Sequence, residues 1–491
     1  MTQHSAAPLA AALLAALACG ALPRAAESTA RDSAGTGEKA ANALAYDIFK
    51  ELIEINTTDS VGNVTTAAQA VAKRFLDAGF PREDVVVLGP EERKKNLVVR
   101  LHGRGAKKAV LLIGHLDVVE ARREDWSSDP FKLIEKDGFF YGRGTLDMKS
   151  GDAIMTTALL RMRREGYRPS RDIILALTAD EESGCCNGVE WLLKNQRELI
   201  DAEFVLNHDG REGYSIMAEH GVPREFDLSA AEKTYADYQL TASNRGGHSS
   251  LPRPDNAIYA LAAALLRIGR SPFPFELNDI TRAYFERMAT IRTGETAADL
   301  RAITRTPADA GAIERLSREP AYASMMRTTC VATRLEGGHA NNALPQRAQA
   351  VVNCRILPGH SKEEVRQELI RIAEDPGITV RYVADDGQIS ERAPADPGVP
   401  PSPLLPQVLE PLERSVSATW ANLTVVPFMN TSATDGVITR AAGIPTYGVA
   451  GIAIERDDVR AHGRDERVGV DSFYKGNEFF YRYLRAVTSA R

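Results

Sequence analysis

From about residue 45 onward the apolar residues fall into two alternating patterns. Stretches 45–55, 66–78, 150–165 and 189–194 place them at helical spacing, whereas 84–88 and 97–101 read as strands. Three longer runs are almost continuously apolar until their last residues: Ala109-Val-Leu-Leu-Ile-Gly-His-Leu-Asp117, Asp172-Ile-Ile-Leu-Ala-Leu-Thr-Ala-Asp-Glu-Glu182 and Glu203-Phe-Val-Leu-Asn-His-Asp209. Strands that are apolar on both faces belong to sheets covered on both sides. The alternation therefore predicts an α/β fold, a mixed and mainly parallel sheet flanked by helices. In such sheets ligands gather at the carboxyl ends of the strands, where these runs carry imidazoles and carboxylates.

The pattern changes near Glu232. Strands with one wet face are expected at 235–242, 328–335 and 348–355, with a further strand at 378–383. Helices are expected at 255–268, capped by Asp255 or Asn256, and at 362–373, with a polar helical stretch reaching about Tyr322. This describes a smaller α+β domain inserted into the first. The expected boundaries are a catalytic part over 40–231, the insertion over 232–385, and a second catalytic part over 386–491 that a proline-rich stretch at 394–406 introduces.

A chain of 491 residues exceeds one ordinary core, which agrees with two domains. Its net charge of −6 gives no electrostatic case for a nucleic-acid partner. Pro8 to Leu22 is an uncharged Ala/Leu run too short to span a bilayer comfortably, and 1–26 reads as a secretory signal peptide although Met1 to Ala7 lacks Lys or Arg. Export to the periplasm or medium is expected, with Cys19 a possible lipidation site. Five cysteines are no disulfide framework. Cys185 and Cys186 are expected as packing residues rather than a vicinal bridge, and Cys330 and Cys354, on two strands of one hairpin-like segment, as buried thiols, with pairing the alternative.

Each chemical motif has a modest meaning alone. His115-x-Asp117 suits a metal-bound imidazole whose second nitrogen is held by a carboxylate, or a satisfied polar pair at a strand end. Gly142-Arg-Gly-Thr-Leu-Asp147-Met-Lys-Ser-Gly151 offers a carboxylate in a glycine-bracketed loop, or a helix N-cap. In Asp180-Glu181-Glu182 neighbouring side chains face opposite ways, so one acid can bind metal while the other moves a proton.

Taken in order, these motifs and a late His resemble the dinuclear zinc amidohydrolases of metallopeptidase clan MH, family twenty. That family is typified by aminoacylase, acetylornithine deacetylase, succinyl-diaminopimelate desuccinylase, carboxypeptidase G and carboxypeptidase S, and the resemblance covers about residues 45 to 485. It implies two zinc ions, replaceable by cobalt or manganese, held by His115, Asp147, Glu182, Asp209 and His462, with Asp147 bridging. His208 is the alternative to Asp209. Asp117 would orient His115 without touching metal, and Glu181 would be the general base. Gly246-Gly-His248-Ser-Ser-Leu-Pro252 is similar to a lid motif whose His reaches a partner subunit's site and stabilises the oxyanion. Asn342 and Arg355 lie in motifs that hold the substrate carboxylate in the family, and Thr434 and Asp435 in a further substrate-contacting loop.

The resemblance implies an exopeptidase of carboxypeptidase type that cleaves an amide next to a free carboxylate in a small peptide. An N-acyl-amino-acid amidohydrolase or dipeptidase is the alternative. A binding protein on the same fold is disfavoured by the intact Glu181. A homodimer through the lid is implied, or a monomer that supplies its own His248.

Overall fold

The computed structural model describes residues 23–105 and 107–489, with side chains described from residue 37. The expected signal peptide and Cys19 therefore lie largely or wholly outside the described residues. The main sheet has ten strands. At its centre Arg171–Thr178, Lys107–His115, Phe204–Asn207 and Thr446–Gly448 run parallel in that order. Antiparallel strands Lys94–Leu101 and Val85–Glu91 extend one side. On the other side Val222–Glu232 pairs antiparallel with Ile216–Glu219 and parallel with Thr424–Asn430. The sheet is thus mixed, as the sequence pattern implies.

The continuous apolar runs have the reason expected of them. On the Lys107–His115 strand Val110 and Leu112 join the core on one face, while Leu111 and Ile113 join the core on the other. Gly114 is required by packing. A Cβ there would lie 2.5 Å from Asp152 Oδ1 and 2.6 Å from Met148 Cε, so the Lys149–Arg164 helix could not sit so close to the strand.

The inserted domain is an antiparallel five-stranded sheet in the order Thr329–Gly337, Arg347–Ile356, Thr234–Ser243, Ile378–Val383, Ile389–Ser390. Helices Ala257–Arg270 and Lys362–Ala373 pack on it through Leu261, Ala264, Val365 and Leu369. The Ala257–Arg270 helix is capped by Asn256, whose side chain accepts from Ile258 N.

The expected single insertion over 232–385 is divided between two cores. The polar helical stretch is four helices, Asp279–Ile291, Gly294–Ile303, Ala310–Leu316 and Pro320–Met325. Their apolar residues Ile280, Tyr284, Phe285, Leu300 and Leu316 belong to the core of the catalytic domain, not to that of the insertion. Helical spacing located them but could not say which sheet they cover. The pattern also gave no warning of the long Val222–Glu232 strand, which lies where a domain junction was expected.

Both cysteine readings are corrected. Cys330 and Cys354 stand directly opposite each other across an antiparallel pair, with Cα atoms 4.1 Å apart, and form a disulfide. Cys185 and Cys186 are also bridged, in an irregular loop where Cys185 is exposed rather than packed.

Phe285 is fully buried. Its replacement, Phe285→Ala, should cost about 3–5 kcal/mol. The three tryptophans, Trp126, Trp191 and Trp420, all lie in the catalytic domain, so urea unfolding followed by tryptophan fluorescence should show the loss. A tryptophan transition that stays at its wild-type midpoint would contradict the placement of these helices.

Candidate metal and hydrolytic centre

The register of the parallel strands brings the candidate groups together. His115 pairs with Thr178, and Ile113 with Asn207, so three strands end at one edge and release Asp117, Asp180–Glu182 and Asp209 there. Asp147 arrives from the loop before the Lys149–Arg164 helix. His462 comes from the loop before the short strand Arg467–Gly469, which leads into the C-terminal helix Val470–Thr488.

Asp147 is the centre of the arrangement. Its Oδ1 lies 3.1 Å from His115 Nε2 and its Oδ2 3.1 Å from His462 Nε2. Glu182 stands 3.0 Å from the same His462 nitrogen, and Asp209 4.0 Å from His115 Nε2. Two overlapping groups of possible ligands result, His115–Asp147–Asp209 and Asp147–Glu182–His462, with donor atoms in each within 4.8 Å of one another. They share Asp147, one carboxylate with two oxygens.

The electrostatics express the crowding. Burial pushes Glu181 and Asp209 well above the usual carboxylate range, and neighbouring acids add to it. Burial also opposes charge on Asp147, but hydrogen bonds from His115 and His462 hold its carboxyl below the usual range. The bonds to Asp147 and Glu182 push His462 up to about 10. Buried oxygens clustered with two imidazoles are a donor set suited to divalent cations, whose charge would relieve this repulsion. The residues present therefore fit a pair of metal ions.

His208 is not part of this set. It is fully buried against Phe480, with ring centroids 5.5 Å apart, and neither ring nitrogen has a hydrogen-bond partner. Burial pushes its pKa down to about 3, so it stays neutral. Of the two candidates, Asp209 is the one beside His115.

Asp117 orients His115 differently from the expected carboxylate contact. His115 Nδ1 lies 3.0 Å from the Asp117 backbone carbonyl, the acceptor that fixes the imidazole. The Asp117 carboxylate instead accepts from the backbone N–H groups of Glu181 and Glu182, at 3.2 and 3.0 Å. One residue thus positions an imidazole with its main chain and two neighbouring acids of the Glu181–Glu182 loop with its side chain.

Thr434 and Asp435, expected to meet substrate, turn inward. The Thr434 hydroxyl caps its helix and accepts from Asn207 Nδ2. Asp435 accepts from Asn187 Nδ2 at 2.6 Å and from Thr178 Oγ1 at 3.3 Å. It is 5% exposed, and its charge opposes that of Glu181. His248, Asn342 and Arg355 remain in the inserted domain. The exposed His248 pairs in register with Ala343, and Ser249 N donates to the Asn342 carbonyl. Arg355 lies over the Tyr235 ring at 4.9 Å. None of the hydrogen bonds of His248 among the described residues reaches the Asp147 cluster.

A supporting acid escaped the sequence reading. Glu466 is completely buried, and its Oε1 accepts from Leu146 N and Asp147 N at 2.8 and 3.0 Å. Its Oε2 accepts from Arg143 Nη1 at 2.5 Å and Gly144 N at 3.2 Å. It shapes the loop that carries Asp147. Glu466 lies four residues after the expected ligand His462, but its partners are chiefly backbone amides that no residue spacing reveals. Glu466→Gln leaves Arg143 facing a neutral amide, and should weaken divalent-metal affinity by about 10–100-fold. Competition with a chromophoric chelator measures this, and wild-type affinity in a folded variant would contradict the role.

Comparison with known proteins agrees with this geometry. Residues 111–486 match the model of Peptidase family M20/M25/M40. Carboxypeptidase S-like 2 of Dictyostelium discoideum is 27% identical over 391 residues, 77% of this chain and 71% of that protein. The N-fatty-acyl-amino acid synthase/hydrolase PM20D1 of Homo sapiens is 27% identical over 383 residues, 76% of this chain and 73% of that one. The M20 family metallo-carboxypeptidase Sso-CP2 of Sulfolobus solfataricus has the same fold, with a TM-score of 0.61 at 16% identity, covering 90% of this chain and 98% of its own. Because the family match spans most of the sequence and contains every candidate ligand, the chain belongs to Peptidase family M20/M25/M40 and is a hydrolase of peptide and related C–N bonds.

Proposed function

We propose that this chain is a dinuclear zinc exopeptidase of carboxypeptidase type, acting on small peptides at the bond next to a free carboxylate. The observation that carries the reading is the pair of ligand groups sharing Asp147, with Glu181 standing beside them as an acid outside both. When bound, zinc would polarise the scissile carbonyl and lower the pKa of the attacking water. His115, Asp147 and Asp209 would hold one ion, and Asp147, Glu182 and His462 the other. Cobalt or manganese suits the same donors.

Glu181 takes the proton of the attacking water and returns it to the leaving nitrogen. Two backbone bonds to Asp117 fix the Glu181–Glu182 segment, so the base and its neighbouring ligand keep their spacing. Asn342 and Arg355 would receive the substrate carboxylate, the guanidinium by a charge-assisted pair. A carboxypeptidase S-like relative supports the peptide reading. The relative named for N-fatty-acyl-amino acids keeps the alternative alive, an N-acyl-amino-acid hydrolase, which also places the cleaved amide next to a free carboxylate.

His248 would complete the site of a second copy by donating to the oxyanion. The inserted domain offers the surface for such a dimer. Its edge strand Thr329–Gly337 is exposed along most of its length, with Val331 60% and Leu335 69% exposed, beside Leu266 and Tyr259 of the neighbouring helix. Export is supported by the two disulfides, which persist in oxidising compartments.

Three measurements test these points. Glu181→Ala should retain both metal ions by elemental analysis while losing about 10²–10⁴-fold or more in turnover, and near-normal hydrolysis would sink the assignment. C-terminal amidation should abolish cleavage of a peptide that the free acid supports, and dipeptides and longer peptides should outpace N-acyl amino acids. The reverse ranking would select the alternative. Mixing His248→Ala with Glu181→Ala subunits should restore activity if each site borrows the partner's imidazole; mixtures as inactive as their parents would place His248 within its own chain's site, and a fully active His248→Ala parent would place it outside catalysis.

A further inference from the structure

The two disulfides differ in what they can do for the fold. Cys330–Cys354 ties together two strands of the smaller sheet, and Cys354 is completely buried. Cys185–Cys186 joins neighbours in the chain. A bridge stabilises by restraining the unfolded chain, more so the longer the loop it closes, and a bridge between neighbours closes none. This one also stands in the open, with Cys185 exposed and Cys186 half-buried. Exposed disulfides are the labile ones, within reach of an attacking thiolate.

Its position gives the bridge something to act on. Cys185 follows Glu182 by three residues. The Cys186 N–H donates to Asp180 Oδ2 at 3.2 Å, and Lys94 Nζ donates to the same oxygen at 2.8 Å. Asn187 Nδ2 donates to the Asp180 carbonyl at 3.4 Å and to Asp435 Oδ1 at 2.6 Å. Gly188 N closes the loop on the Ala179 carbonyl at 2.7 Å. Glu181 and Glu182 thus ride on a loop whose far side is anchored to its near side through Cys186 and Asn187. The loop has no slack, since a Cβ on Gly184 would collide with the Asp180 carboxylate. The small ring made by bridged neighbours restricts the torsions on either side of the peptide between them. It therefore keeps the Cys186 N–H and the Asn187 side chain aimed at Asp180. Opening the ring frees those torsions, and the anchoring bonds must then work against their entropy.

We propose that Cys185–Cys186 is a thiol–disulfide exchange site through which an external thiol lowers turnover at the hydrolytic centre. The thiolate attacks Cys185 Sγ, the accessible sulfur, and the S–S bond breaks. Its electron pair leaves on Cys186 Sγ, which takes a proton from water. A second thiolate attacks the outer sulfur of the mixed disulfide, and Cys185 Sγ leaves and is protonated. Two external thiols are oxidised to one disulfide, and the protein disulfide is reduced to two thiols. In the reduced loop Cys186 and Asn187 are no longer held against Asp180. Glu181 and Glu182, left with their backbone bonds to Asp117, lose their fixed spacing. The bridged form is the active one. The effect on turnover rests on the proposed roles of Glu181 and Glu182; the exchange itself does not.

Glutathione buffers of stepped thiol-to-disulfide ratio, applied to the full-length, metal-loaded protein, test this. Alkylation with iodoacetamide and peptide mass mapping should find Cys185 and Cys186 labelled at ratios that leave Cys330 and Cys354 bridged. Along the same series kcat should fall by about tenfold or more with KM little changed. Divalent-metal affinity, read by chelator competition, should weaken by about tenfold, and reoxidation should restore both. The Cys185→Ser/Cys186→Ser variant, its fold checked by thermal unfolding, should start at the low values and ignore the buffer. That indifference separates exchange from chelation of the metal by glutathione. Reduction of Cys330–Cys354 first would overturn the proposal. So would full kcat and metal affinity with both thiols free, a loss that reoxidation does not reverse, or a fully active double variant. If the bridged protein hydrolyses no peptide or N-acyl amino acid, the hydrolytic assignment fails on its own. Metal affinity then decides: weakened on reduction it upholds the exchange site's hold on the loop, and unchanged it overturns it.

Discussion

Keeping several carboxylates together in a buried place is the constraint on which the rest of this molecule depends. Asp147, Glu181, Glu182 and Asp209 repel one another, and burial strengthens the repulsion. Only a rigid frame can hold such a group ready for cations. The parallel strands supply it by ending in register at one edge. Glu466 supplies more of it, because its two oxygens organise the Asp147 loop through backbone N–H groups and Arg143. Asp117 does the same for the Glu181–Glu182 segment. Around the candidate ligands lies a layer of acids whose partners are main-chain donors, and their task is placement.

This arrangement explains why the strand-end ligand candidates and Asp117 stood out in the sequence while Glu466 did not. His115, Glu182 and Asp209 close apolar runs that stop at one sheet edge, so each of those runs carries its own sign, whereas Asp147 and His462 come from loops. A supporting acid needs only a backbone amide within reach, and any Asp or Glu can find one. Glu466 therefore looks like one acid among 66 Asp and Glu residues until the fold shows what it touches. Thr434 and Asp435 illustrate the opposite failure. Their motif suggested contact with substrate, but one side chain caps a helix and the other is bound by Asn187 and Thr178.

The fold was legible to a similar depth. Apolar periodicity located the helices and strands of the first catalytic part and four of the five strands of the smaller sheet, since burial on one or both faces leaves a direct mark on composition; the main-sheet strands from Ile216 to Glu232 and those after Pro406 were not placed. It could not assign the helices of 279–325 to a core, because an amphipathic stripe records that a face is covered and not by what. The Cys330–Cys354 disulfide was passed over for a related reason. The opposition of Cys330 and Cys354 is a matter of strand register, which depends on turns and bulges outside the strands themselves.

The division of the inserted segment has a mechanical consequence. The chain enters the smaller sheet after Glu232, returns to the catalytic core at Asp279, crosses again near Thr329, and comes back before Pro406. A domain inserted once is tied by two strands of polypeptide, like a door on one pair of hinges. This one is tied by four, and one crossing is pinned at Lys233, whose buried ammonium donates to the Arg327 carbonyl and the Thr329 hydroxyl of another. Any swing must bend all four tethers about a common axis, so the permitted motion narrows from a cone toward a single arc.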